Sequence, residues 1–138
     1  MNLNRLAADR AAAGKPVRAG LIGAGKFGSM FLSQAAHTQG LEVAAIADLD
    51  VERAKMACLV VGWEEARIAA MRFVDSGVAL AALDTVEVVI EATGNPLAGA
   101  SHALAAISAG KHVVMVNVEA DVLCGPALAR RAREAGVV

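Results

Sequence analysis

Six residues, Gly23-Ala24-Gly25-Lys26-Phe27-Gly28, constrain this chain more tightly than any others because of what lies on either side of them. Before them runs Val17 to Ile22, a short apolar segment with the length of a buried central strand. After them Phe27 to Gln39 carries apolar residues at 27, 30, 31 and 35, which is helical spacing, and Gly40 stops it. Leu41 to Ala47 then reads as a second continuous apolar strand ending at Asp48. Gly23 permits a tight turn off the first strand, Gly25 leaves the backbone bare to close approach, and Gly28 lets the helix pack tightly on the sheet. The result is one βαβ unit, whose strands pair in parallel through a right-handed crossover.

The rest of the chain repeats that alternation. Leu3, Leu6, Ala7 and Arg10 fit a leading amphipathic helix within residues 1–16, closed by Gly14-Lys15-Pro16 and standing outside the sheet. Asp50 is placed to N-cap a helix from Val51 to about Val61; a short helix runs from Glu64 to about Met71, and Arg72 to Asp75 suits an edge strand. Ser76 to Asp84 reads as a helix or helical turn, and the β-branched run Val86 to Ile90 as the next strand. Pro96 opens a helix to about Ala109, Val113 to Val116 is another strand, Asp121 to Ala135 is a final helix, and Val137-Val138 begins like a strand. Strands separated by helices throughout predict an α/β fold: a doubly wound, mostly parallel Rossmann sheet with helices on both faces, residues 17–138 forming a dinucleotide-binding domain.

In such a domain the cofactor-binding residues follow from the turn. Gly23, Gly25, Lys26, Phe27 and Gly28 open the helix whose N-terminal N–H groups and positive dipole end suit a diphosphate, although Lys26 serves equally well as a solvated lysine. Asp48 ends the second strand 20 residues after Gly28, where a carboxylate accepts the ribose hydroxyls of an adenosine. That carboxylate repels a 2′-phosphate and so favours NAD over NADP, with Arg53, one helical turn on, the only nearby residue to reverse the preference. Glu91 to Pro96 closes the strand beyond the first, at the crevice where doubly wound sheets hold ligands; Thr93, Gly94 and Asn95 either meet the nicotinamide ribose or simply form an Asx/Pro turn. Asn117 and Glu119 share that rim. Trp63, the single tryptophan, is expected to report on the adenosine side.

Several classes are disfavoured. Lys plus Arg (13) nearly balance Asp plus Glu (14), and aromatics are 3% with no Tyr, so neither phosphate attraction nor base stacking points to nucleic acid or an anionic membrane. Cys58 and Cys124 have no C-x-x-C neighbour, and His37, His102 and His112 have no metal spacing, so no metal site is expected and the histidines read as surface or helix-end residues. With no secretory h-region and no apolar run of membrane-spanning length, the expected location is the cytoplasm. At 138 residues the chain is short for a complete two-domain dehydrogenase, which predicts the cofactor half of a longer enzyme, the small-molecule substrate held by a second domain. Homo-oligomerisation stays open, as do the catalytic residues.

Gly23 to Gly28, Ile46-Ala47-Asp48, Glu91 to Pro96 and Ala109-Gly110-Lys111-His112-Val113-Val114 together resemble the cofactor domain of the homoserine dehydrogenase family, over most of the chain. The opening to Gly28, Val61-Gly62-Trp63-Glu64-Glu65 and Asn117 to Leu123 look most like a bacterial branch in which a SAF domain follows the oxidoreductase part, and which includes the 1-deoxy-D-xylulose 5-phosphate reductoisomerase-like enzymes of isoprenoid biosynthesis. The resemblance implies an NADPH-dependent reductoisomerase or related reductase, and so pulls against the NAD preference read from Asp48. In homoserine dehydrogenases an Asn-Lys pair follows the Gly-Lys-His-Val-Val strand; Asn117 matches the Asn, but Val118 stands where the catalytic Lys would be. The Glu-Lys-Pro that sugar dehydrogenases carry after a similar strand is also absent. Two rival readings share the glycine loop: a stand-alone nucleotide-sensing regulatory module, against which the Glu91 to Pro96 loop argues, and a methyltransferase using S-adenosylmethionine, which Gly28 fits less well.

Overall fold

The computed structural model describes residues 2–138, and its strands form one sheet in the order β3-β2-β1-β4-β5. These strands are β1 (Val17–Ile22), β2 (Leu41–Ala47), β3 (Arg72–Val74), β4 (Val88–Glu91) and β5 (His112–Met115), and all four pairings are parallel. The helices are α1 (Leu3–Ala12), α2 (Lys26–Ala35), α3 (Val51–Val60), α4 (Glu65–Ala70), α5 (Gly77–Ala81), α6 (Pro96–Ser108) and α7 (Val118–Glu134). Because β1 pairs with β2 on one side and β4 on the other, chain order reverses at the centre and the loops after β1 and β4 diverge. A crevice opens at that switch point.

Two apolar layers sandwich the sheet. Ala19, Leu21, Val43 and Ile46 meet Leu32 of α2, Ala54 and Cys58 of α3, and Trp63, while Ile22, Ala45, Ala47 and Val89 meet Leu80 and Ala81 of α5 and Ala106 of α6. The alternation of Leu21 and Ile22 onto opposite faces is the strand period of two, and both faces are apolar because both are covered. A third cluster joins α6 to α7 through Ala103, Ile107, Leu128 and Ala132. Helix α1 buries none of its own residues and is held at the far end of the sheet by an Arg10–Glu87 ion pair of 2.9 Å.

Several boundaries differ from the sequence reading, among them β5, which runs His112–Met115 rather than Val113 to Val116. Helix α2 ends at Ala35 rather than Gln39, since the N–H groups of His37 and Thr38 turn back to the carbonyls of Gln34 and Ala35 and the Thr38 hydroxyl donates to Gln34 at 2.9 Å. Helix α7 starts at Val118 rather than Asp121, because the Asn117 side chain caps it by accepting from the Ala120 N–H. Strand β4 starts at Val88, since the Val86 N–H bonds to the Leu83 carbonyl in a turn. Val137 and Val138 form no strand, although the Val138 carbonyl accepts the Val113 N–H at 2.7 Å beside the β5 edge.

The close approach of α2 to β1 depends on Gly28, where a Cβ would fall on the carbonyl oxygen of Gly23, a backbone atom that cannot swing aside. Gly28→Ala is therefore expected to destabilise the fold by about 2 kcal/mol and lower the midpoint of thermal unfolding by roughly 5–10 °C. Thermal melts followed by circular dichroism check this; an unchanged midpoint would show that α2 does not bear on the turn.

Candidate functional site

A cleft of about 440 Å³ lies at the carboxyl ends of β1, β2 and β4, lined among others by Gly23, Gly25, Asp48, Arg53, Thr93, Asn95 and His102. A larger, shallower groove of about 580 Å³ runs along α3, α4 and β3, but its lining is mostly apolar. The convergent polar groups, which decide where chemistry is done, are in the cleft at the strand ends.

Gly23 sits at φ +94° and donates its N–H to the Ala47 carbonyl at 2.8 Å. A Cβ there would meet the Ala92 carbonyl at 2.9 Å, so only glycine lets the loop after β1 pass so near the loop after β4. Gly25 has open space around it. Helix α2 has no side-chain cap, and the Ser29 N–H is the first to reach a helix carbonyl, that of Gly25. By contrast Asn2, Asp50, Ser76, Asn95 and Asn117 cap α1, α3, α5, α6 and α7. The mouth of α2 thus offers uncapped amides to the cleft. Lys26 and Phe27 are exposed outside the cleft lining, Phe27 at 42%.

Asp48 is buried and saturated. Its Oδ2 accepts from the Ala24 N–H at 2.9 Å and its Oδ1 from the Asp50 N–H at 3.0 Å, while the Arg53 guanidinium donates to both oxygens at 3.1 and 2.8 Å. Three donor nitrogens thus make four contacts, as many as a carboxylate has lone-pair sites. Burial pushes its pKa up, but the Asp50 and Ala24 amides and the Arg53 guanidinium outweigh that and hold it below the usual carboxylate range. Arg53 itself stays 63% exposed and lines the cleft, and its bonds to Asp48 are both made through Nη2.

Across the crevice, Glu91 ends β4 with its side chain fully buried. Its Oε1 accepts from the Thr93 hydroxyl at 2.6 Å, the Thr93 N–H at 3.4 Å and His102 Nδ1 at 3.1 Å, while Oε2 has no partner among the described residues. Burial again pushes the pKa up, and the hydrogen bonds from His102 and Thr93 outweigh it to leave the group ionised below its ordinary range. The Asn117 amide donates to the Asn95 carbonyl at 2.8 Å and the Thr93 hydroxyl at 3.4 Å, and Asn95 accepts the Ala98 N–H. Asn117 is therefore a buried tie between the loops after β4 and β5, and Gly94, at φ +72°, turns the first of them.

His102 is the residue that sequence reasoning passed over. It lies on α6, 11 residues after Glu91, and only the packing of α6 on β4 brings them together; a strand-end carboxylate followed by a helical histidine was the available signal. Trp63 is corrected the other way: its indole N–H donates to the Leu32 carbonyl at 3.2 Å and Arg67 stacks on its ring at 3.6 Å, in the core away from the cleft. Burial also raises the Cys58 thiol, against a smaller opposing effect of Arg67. Among the described residues no group of three or more His, Cys, Asp or Glu could hold a metal ion, and no helix is long and apolar enough to cross a membrane.

A five-stranded parallel sheet with its cleft at the switch point and an uncapped glycine turn defines a Rossmann domain. Residues 17–116 match the oxidoreductase family with an NAD-binding Rossmann fold known as Gfo/Idh/MocA, and the chain belongs to that family. No curated protein matches it. Among solved structures, the WlbA dehydrogenase of Bordetella pertussis, in complex with NADH and UDP-GlcNAcA, is 27% identical with TM-score 0.70, over 89% of this chain and 36% of its own. A 3-ketoreductase of Actinomadura kijaniata, in complex with NADP and TDP-benzene, is 27% identical with TM-score 0.72, over 90% and 36%. A homoserine dehydrogenase of Thiobacillus denitrificans shares the fold at TM-score 0.74 and 20% identity, over 89% and 28%. The chain thus spans about a third of the length of these structures.

The Asp48 geometry carries a prediction. Because its folded pKa is depressed, the unfolded state takes up the proton first on acidification, so stability present at neutral pH is lost as pH falls below about 4. Asp48→Asn is expected to cost about 2 kcal/mol at pH 7. Urea unfolding of both proteins across a pH series should show that gap shrinking in acid; a constant gap would mean that Asp48 carries no ionic role.

Proposed function

We propose that this chain binds a nicotinamide dinucleotide across the cleft, with the diphosphate on the Gly23 to Gly28 turn, the adenosine ribose beside Asp48 and Arg53, and the nicotinamide half beside Thr93, Gly94 and Asn95. The observation that carries the reading is the pairing of an open, uncapped α2 mouth at Gly25 with a buried carboxylate one strand over. The donor set fits the group: bare amides for phosphate oxygens and a guanidinium at the ribose end. When bound, such a cofactor supplies hydride transfer; the residues here orient it and set the charge around it. Lys26 and Phe27, outside the cleft lining, contribute to this reading only as the first turn of α2.

For the choice between cofactors the balance moves to NADP. Asp48 alone favours NAD, but its charge is met by Arg53 and both its oxygens are occupied, so the groove offers guanidinium N–H groups and not a free carboxylate. The same direction follows from the resemblance to the 1-deoxy-D-xylulose 5-phosphate reductoisomerase-like branch, and we read the chain as the cofactor half of an NADPH-dependent reductase or reductoisomerase of that type, its substrate held by residues outside these 138. Val118, exposed where homoserine dehydrogenases place lysine, argues against homoserine oxidation. A nucleotide sensor without catalysis is the second reading, favoured by the absence of a lysine at that position.

Calorimetric titration of the 138-residue chain tests this. NADPH is expected to bind more tightly than NADH, and Arg53→Gln to weaken NADPH about tenfold while changing NADH less than about twofold. Failure to bind either dinucleotide would remove the reading, and binding of NADH in preference would remove the NADP assignment alone.

A further inference from the structure

The Glu91–His102 pair is a second polar centre in the cleft, apart from the turn and the ribose rim. A purely structural role accounts for it poorly. Glu91 is fully buried with Oε2 unpartnered, and an apolar pair of similar volume would hold α6 on β4 as well or better. Since an ionised carboxylate only accepts, His102 must donate Nδ1–H to it, which fixes the ring and leaves Nε2 as the one polar atom it offers elsewhere. Among the described residues Nε2 has no hydrogen-bond partner, and it is not sealed off, the side chain being 15% exposed and part of the cleft lining. The ring occupies this place only because residue 77 is glycine: a Cβ there would come within 2.6 Å of both Cδ2 and Nε2.

We propose that His102 is a ligand-contacting residue on the cleft floor, its Nε2 meeting a sugar hydroxyl of the bound dinucleotide, and that Glu91 is the positioning residue that holds the ring. A hydroxyl suits this atom because it donates to a neutral Nε2 and accepts from a protonated one. The contact also supplies what Asp48, with its acceptor sites filled, does not. This rests on the dinucleotide reading of the cleft.

The test is a proton–nitrogen correlation spectrum of the histidine rings of the 138-residue chain, with and without NADPH, together with binding of His102→Gln and Glu91→Gln. Expected are a protonated Nδ1 in the free protein, a shift of the His102 Nε2 resonance on adding NADPH, about tenfold weaker NADPH binding by H102Q, and loss of the fixed tautomer with weaker binding in E91Q. A shift also seen with adenosine 2′,5′-bisphosphate assigns the contact to the adenosine ribose; a shift with NADPH only assigns the nicotinamide ribose. If H102Q does not fold, Gly77→Ala, which crowds the ring without removing it, is expected to weaken binding several-fold. NADPH binding that leaves the His102 nitrogens unmoved and H102Q within twofold of the parent overturns the proposal while the dinucleotide reading stands. A chain that binds neither NADPH nor NADH overturns both.

Discussion

The cleft depends first on what the Asp48 carboxylate does with its two oxygens. By accepting from Ala24 in the glycine turn and from Asp50 in the turn after β2, it pins the two loops that form one wall of the crevice to each other. The alternative, two loops joined only through the ends of their strands, would leave the Ala24 amide buried without a partner, at a cost comparable to the loss of a hydrogen bond. Arg53 adds charge balance more than stability, because its guanidinium is largely solvated and such pairs are worth little in water.

Glu91 does for the other wall what Asp48 does for the first, under harsher conditions. Both carboxylates terminate strands that flank the switch point, and both are kept ionised by donors gathered from neighbouring loops. Asp48 is satisfied at both oxygens by two backbone amides and an arginine, whereas Glu91 leans on one hydroxyl, one amide and one histidine, all at the same oxygen. From Glu91 the hydrogen bonds run outward through Thr93 to Asn95 and Asn117, so the loops after β4 and β5 are ordered by the same charge that orients His102. The two walls are thus separately braced, and the glycine turn lies between them with its amides uncapped.

Most of the architecture was legible because the signals are local. The strands β1 and β2 were read to the residue, since each is an apolar run interrupted only by Arg18 or Glu42 near its start and ended by Gly23 or Asp48, and the caps Asp50 and Gly14 announced themselves by residue type. Two of the errors fell where a side chain competes with the backbone: Thr38 ending α2 early, Asn117 starting α7 early. Apolar periodicity cannot register such bonds. Of the candidate site, Gly23, Gly25, Asp48, Arg53, Thr93 and Asn95 line one cleft, while Lys26 and Phe27 lie exposed outside its lining and Asn117 is buried as a tie.

The sequence alone determined the parallel α/β architecture and the position of the glycine turn relative to Asp48, because strand and helix periods and the freedom of glycine are properties of a few adjacent residues. The tertiary structure decided how the charges are spent. Whether Asp48 is free or filled depends on where the first turn of α3 puts Arg53, and whether His102 is a surface residue or a cleft residue depends on α6 packing over β4 with nothing but hydrogen at position 77. Those are distances through space between elements, and the order of residues along a chain does not contain them until the sheet is assembled.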